Sequence, residues 1–137
     1  MTEPASLKEG DTWSFRYTVT QADTAAALNH ITGDSFPPVF ATTKCIALLE
    51  LACGHLLIPI CKPGQLSVGV TVEVKHLAAT PVGAWVEAQA TYKGRNGKLY
   101  AFDVVARDPG GEIMTGKHER AIIDESRLLA GAAARKG

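Results

Sequence analysis

Alternation and helical periodicity divide the chain cleanly. "DTWSFRYTVT" places Trp13, Phe15, Tyr17 and Val19 on one face, the period-2 pattern of a strand. "QADTAAALNHI" reads as a short helix ending at "TGD", and the two prolines of "TGDSFPPVF" forbid regular structure there. From about Thr43 to Ile58 almost every residue is apolar or small, which predicts a helix roughly 24 Å long, capped by Thr42 or Thr43 and ended by Pro59. Being apolar all round, it should be buried on most sides. After "CKPGQ" the chain alternates: "LSVGVTVEVKHLA", "AWVEAQATYKG", "KLYAFDVVARD" and "EIMTGKHERAIID" read as four strands joined by short turns, with "RNG" a hairpin signal. The last residues, "LLAGAAARKG", read as a helical tail.

Short turns imply antiparallel neighbours. One wholly apolar helix and one antiparallel sheet have one economical packing, in which the sheet curls around the helix. The expected architecture is therefore α+β, of the hot-dog type, in a single domain over residues 1–137 with 125–137 as the tail. One such unit leaves an edge strand and part of the helix open, so at least a homodimer is expected.

Composition removes several classes. At 46% apolar and 20% charged residues the chain is globular rather than disordered. Fourteen basic residues balance fourteen acidic ones, which favours neither nucleic acid nor an anionic membrane as partner. The N-terminus is polar and lacks a secretory pattern. The apolar stretch Cys45–Ile60, broken by Glu50 and His55, reads as too short and too polar to span a bilayer. Three cysteines without a C-x-x-C pair argue against disulfides and zinc, and for a reducing, cytoplasmic setting. The four histidines show no metal-ligand spacing.

Three polar residues stand out. Glu50 is a lone carboxylate in the apolar middle of the helix, on a stripe with Thr43, Ala47 and Gly54. Such a group is costly to bury unpaired. It either serves chemistry or pairs structurally. His76 shares the parity of Val68, Val70, Val72 and Val74 at the end of its strand. A core histidine bonded to a carbonyl is the plainer explanation. Gly69, on the opposite parity, marks a bulge or a close approach. Thr42 lies at the helix start, where unpaired backbone amides suit an oxygen that becomes negative during acyl transfer. A hydroxyl, a carboxylate and an imidazole make a plausible acyl-transfer set, although spacing alone does not bring them together.

"FPPVFATTKCIALLELAC", "GVTVEVKHLAATPVG" and "GKHERAII" resemble the fluoroacetyl-CoA thioesterase-like family of hot-dog enzymes, over about Phe36 to Ile123. The family pattern is F-A-T, an acid eight residues after that threonine, a strand glycine, and H-x-A-A-T-P. The resemblance implies hydrolysis of an acyl-CoA thioester with Thr42, Glu50 and His76 as the catalytic set at a dimer interface. Glu50 would be nucleophile or general base. His76 would position it, or activate water and protonate the leaving thiolate. Phe36 and Gly69 would line the substrate pocket, with Arg120 near it. Coenzyme A enters as part of the substrate, and no metal or redox cofactor is implied. The run "ITGDS" before Phe36 departs from the apolar lid of fluoroacetyl-selective members, so a short or small acyl group is expected rather than that selectivity.

Two other readings carry different tests. "TGDSFPPVF" echoes a hot-dog enoyl-CoA hydratase or dehydratase in Asp34 and Pro37, but Val39 stands where a proton-moving histidine is needed. A non-catalytic acyl-CoA binding module on the same fold would bind without turnover. His30, His55 and His118 are given no catalytic role, and His118 shares the parity of Met114, Gly116 and Arg120.

Overall fold

A computed structural model describes residues 6–137. Strand β1 (Thr12–Thr18) leads through two 3-10 turns, Gln21–Asp23 and Ala25–Leu28, to helix α1 (Thr42–Leu57) and a further turn, Ile58–Ile60. Strands β2 (Gln65–His76), β3 (Trp85–Asn96), β4 (Leu99–Asp108) and β5 (Gly111–Asp124) follow, and helix α2 (Glu125–Ala134) closes the described chain. The five strands form one antiparallel sheet in the order β1-β3-β4-β5-β2.

Helix α1 lies in the concave face and touches all five strands. Its Cys45, Leu48, Leu49, Ala52, Cys53 and Leu57 are buried, facing Val86, Ala88 and Ala90 of β3, Phe102, Val104 and Ala106 of β4, and Ile113 and Met114 of β5. The alanines keep the sheet surface low beneath the helix, so the leucines fill the space between them. Each fully buried leucine contributes about 2 kcal/mol from its removal from water. The β3–β4 hairpin turns at Gly97, whose φ of 63° is the left-handed conformation that favours glycine.

The structure corrects five expectations, four of them before the sheet edge. The stretch read as one short helix is two separate 3-10 turns, broken where Thr24 takes an extended conformation and bridges to Phe40. Neither threonine caps α1. Ala41 is the cap residue and makes no side-chain capping bond, leaving Thr42 inside the first turn with its hydroxyl free for another partner. The helix is not buried all round, for Leu51 and Ile58 are 60% and 64% exposed. Extended to its true start, the stretch Thr42–Ile60 is also long and apolar enough to cross a bilayer on those counts alone, so the argument from length fails. Its apolarity is explained by the sheet wrapped around it.

β2 is an edge strand whose Val70 and Val72 are 53% and 46% exposed. It also carries a bulge. Gly69 pairs with Arg120 and Thr71 with Glu119, leaving Val70 without a partner across the ladder. The extra residue shifts the alternation by one. Gly69 consequently faces α1 together with Val72, Val74 and His76, and not away from them as strict parity predicted, while Val68 and Val70 leave that face.

Candidate active site

Two polar clusters form along α1. The first is at its N-terminus. Ala41 donates its N–H to the Asp23 carbonyl (2.9 Å), and Phe40 donates to the Thr80 carbonyl (2.9 Å). Val39 bridges Pro81, and the buried Thr80 hydroxyl donates to Asp108 Oδ2 (2.8 Å). These bonds clamp "FAT" against "AATP". The side chain of Asp23, itself buried, accepts from the Tyr17 hydroxyl (2.8 Å) and from the Thr20 amide (2.7 Å) and hydroxyl (2.8 Å), and pairs with Lys44 (3.4 Å). Burial by itself pushes the Asp23 carboxyl up, but these donors together hold it below its ordinary value.

The clamp delivers Thr42 to the end of β2. Thr42 Oγ1 lies 2.7 Å from His76 Nδ1. The other ring nitrogen, His76 Nε2, is buried without a hydrogen-bond partner among the described residues. Buried polar atoms are seldom left so.

The second cluster is mid-helix. The Glu50 side chain is 39% exposed, and its Oε2 accepts from Arg120 Nη1 at 3.2 Å. Arg120, on β5, also donates from Nε to Ser67 Oγ (3.0 Å) and from Nη2 to the Ser67 carbonyl (3.0 Å). Its Nη1 lies 3.1 Å from His118 Nε2, and His118 Nδ1 lies 2.7 Å from the Thr71 carbonyl. His118 Nε2 is also 3.8 Å from Glu50 Oε2, which would be an ion pair only if the imidazole were charged. Burial first, and then the Arg120 charge, hold His118 below its ordinary value and so favour the neutral ring, against opposite pulls from the Thr71 carbonyl, Glu50 and Glu119. The ion pair here is Glu50 with Arg120.

Gly69 is what makes room. A Cβ there would collide with Glu50 Oε2 and sit 3.1 Å from His118 Cε1. Gly54, one turn beyond Glu50, lies under the Arg120 guanidinium. An apolar groove of about 370 Å³ opens beside the carboxylate, lined by Trp13, Phe15, Leu51, Gly54, His55 and Ile58, with Trp13 stacked on His55 at 3.7 Å between ring centres.

Of the residues expected from the sequence, one chain thus brings Thr42 to His76, and Glu50 to Gly69 and Arg120, but does not join the two groups. Eight residues of α-helix put Glu50 about 12 Å along the axis from Thr42. Phe36 is 49% exposed in the loop before α1, its amide bonded to Asn29 Oδ1 (2.9 Å), and is not part of the Glu50 cluster. His118 was passed over in the sequence although it shares a strand face with Arg120. Its partners, a carbonyl on β2 and its own strand neighbour, leave no spacing signal. Cys45 and Cys53 are buried thiols pushed up to about 12 by desolvation, so they are packing groups rather than nucleophiles. Among the described residues no cluster of His, Cys, Asp and Glu could hold a metal ion.

A carboxylate held by arginine beside an apolar groove, and a threonine–histidine pair at a helix start, on a sheet wrapped around one helix, define a class: a hot-dog thioester hydrolase. The chain belongs to the fluoroacetyl-CoA-specific thioesterase family, whose family model matches residues 19–126. A fluoroacetyl-CoA thioesterase from Streptantibioticus cattleyicolor is 41% identical over 95 residues, covering 69% of this chain and 68% of that one. The solved structure of the fluoroacetyl-CoA thioesterase FlK superposes with a TM-score of 0.91 at 30% identity, covering 97% of this chain and 100% of that one. A Thermus thermophilus thioesterase superfamily member superposes at 0.85 with 26% identity, over 96% and 94% of the two chains.

Proposed function

We propose that this protein hydrolyses a short or small acyl-CoA to the free acid and coenzyme A, in sites each built from two copies of the chain. The observation that carries the reading is the division of the catalytic set. Thr42 and His76 meet at 2.7 Å, while Glu50 stands apart in its own cluster. A second copy docked along the open β2 edge and the exposed side of α1 would set Glu50 of one protomer opposite Thr42 and His76 of the other. The exposed Val70, Val72 and Leu51 support that docking. A solved FlK variant holds fluoroacetate and CoA together, which supports a CoA thioester as the kind of substrate.

The chemistry follows from the groups present. The thioester carbonyl oxygen lies at the start of α1, where free backbone N–H groups stabilise the charge it gains. The Thr42 hydroxyl donates to His76 Nδ1, which puts the proton of the neutral ring on Nε2. Glu50 either takes a proton from a water that adds to the carbonyl carbon, or attacks that carbon itself to give an anhydride that water then cleaves, freeing the acid and restoring the carboxylate. His76 Nε2, unpartnered among the described residues, gives its proton to the departing coenzyme A sulfur. No proton-moving side chain stands at Val39, which is bridged to Pro81, so hydration of an enoyl group is disfavoured. The three cysteines are free thiols, in keeping with a cytoplasmic location.

The test is coenzyme A release, followed by chromatography, from acetyl-, fluoroacetyl-, propionyl-, butyryl-, phenylacetyl- and longer acyl-CoAs. Turnover by the native protein that is lost at least 10²-fold in folded Glu50→Ala and His76→Ala variants establishes the reading. Turnover that survives both overturns the site, and binding without turnover on every substrate makes the protein a sensing module.

A further inference from the structure

We propose that His118 is a positioning residue for the Glu50 carboxylate, acting through Arg120 and fixing which carboxylate oxygen reacts. This rests on the reading that Glu50 is the acyl-transfer carboxylate.

The argument starts at the Thr71 carbonyl. It can only accept, so His118 Nδ1, at 2.7 Å, carries the imidazole proton and donates it. Nε2 is then a lone pair, and it faces Arg120 Nη1 at 3.1 Å. Nη1 has two hydrogens. One goes to His118 and leaves the other for Glu50 Oε2 at 3.2 Å. Nε donates to Ser67 Oγ, and one Nη2 hydrogen goes to the Ser67 carbonyl. The guanidinium is thus held at all three nitrogens, by β2 on one side and by His118 on the other, and its hydrogen bond to α1 comes from Nη1. Arginine's planar fork makes such a hold effective where a lysine ammonium would not be.

The hold has a chemical consequence. Oε2 is tied to Arg120 and fills the gap that the missing Gly69 side chain leaves. Among the described residues Oε1 accepts no hydrogen bond. Oε1 is therefore the oxygen free to attack the carbonyl carbon or to take a proton from water, and Oε2 is the anchor. A neutral His118 is required, because an imidazolium would donate from Nε2 and repel the guanidinium it now steadies. The charged and titratable groups around it are Glu50 from α1 and Glu119 and Arg120 from β5, with the Thr71 carbonyl from β2, and its buried ring faces a site already holding one cation.

The experiment measures kcat and KM of the full chain on its best acyl-CoA for His118→Leu, His118→Gln, Arg120→Met and the Leu/Met double variant. Glu50→Ala is run as the reference. A glutamine amide offers both a donor for Thr71 and an acceptor for Arg120. The expectation is a fall in kcat of about ten- to a hundred-fold in the leucine variant with KM within about three-fold, and recovery of most of the loss with glutamine. The double variant should be no worse than Arg120→Met alone, since His118 acts through that arginine. A leucine variant with native kcat, a glutamine variant as slow as leucine, or losses that multiply would each overturn the inference. If the leucine variant does not fold, nitrogen NMR of the native protein near pH 7.5 decides: proton on His118 Nδ1 supports the inference, and proton on Nε2 or on both nitrogens overturns it. Activity persisting in Glu50→Ala would instead overturn the underlying reading, whatever His118 does.

Discussion

The two ends of the proposed catalytic set are built on opposite principles. At the start of α1, Thr42 and His76 form a short bond between side chains, placed by backbone bonds that clamp two loops together. Mid-helix, Glu50 is placed by charge, on an arginine that two strands and a histidine hold still. Among the described residues the first end leaves a buried nitrogen unpartnered, and the second leaves a carboxylate oxygen without a hydrogen bond. Two half-satisfied clusters on one helix, about 12 Å apart, are what the proposed site shared between copies would require of each.

The sharpest way to break this comparison is to separate the halves between chains. Glu50→Ala and His76→Ala should each lose at least 10²-fold in kcat/KM. Mixed and re-equilibrated, they should regain about a quarter of native activity. Half the dimers would be mixed, and each of those would have one intact site out of two. No regain on mixing would place the whole site within one chain and sink the shared arrangement.

Gly69→Ala strikes the charged end alone. The new Cβ displaces the Glu50 carboxylate from Arg120, so kcat should fall about ten- to a hundred-fold while the Thr42–His76 end and its folding remain. Steady-state kinetics beside a circular dichroism spectrum would check it. An unchanged kcat would mean the carboxylate has slack.

Thr80→Ala strikes the other end. It removes a buried hydroxyl and leaves Asp108 Oδ2 without that donor, which should cost about 1–3 kcal/mol in urea unfolding and loosen the Thr42–His76 bond. Stability unchanged within error would show that the backbone bonds clamp the loops without it.

The smallest effect is in pH. His118 is held below its ordinary 6.5, so the unfolded chain takes up a proton at a higher pH than the folded one. Its contribution to stability is full above about pH 6.5 and is lost as pH falls toward the folded value. The melting temperature should decline on acidification through that window, and His118→Gln should flatten the decline. Equal slopes in the two proteins would show that His118 is not buried as a neutral ring.

Much of this is legible in the sequence. Alternation gave five strands, a single run without internal proline gave α1, and turn residues gave antiparallel pairing. Glu50 announced itself as a charge on an apolar helix. Other features left no such trace. The Val70 bulge reverses the face of Gly69, and nothing in "VGV" states where an extra residue enters a ladder. Thr42 looked like a cap because threonines often are, whereas the competing partner, His76, is thirty-four residues away in sequence.

The sequence by itself determined which elements form and which side chains have chemistry, because periodicity, turn propensity and the functional group each side chain carries are local properties. Only the tertiary structure decided which of those side chains meet. A hydrogen bond acts over about 3 Å, and that distance depends on register, bulge and helix seating, which the whole sheet sets together. Arg120 and His118 became parts of the Glu50 site in this way: β5 lies beside β2 in the sheet, and the Gly69 gap lets α1 lower its carboxylate onto them.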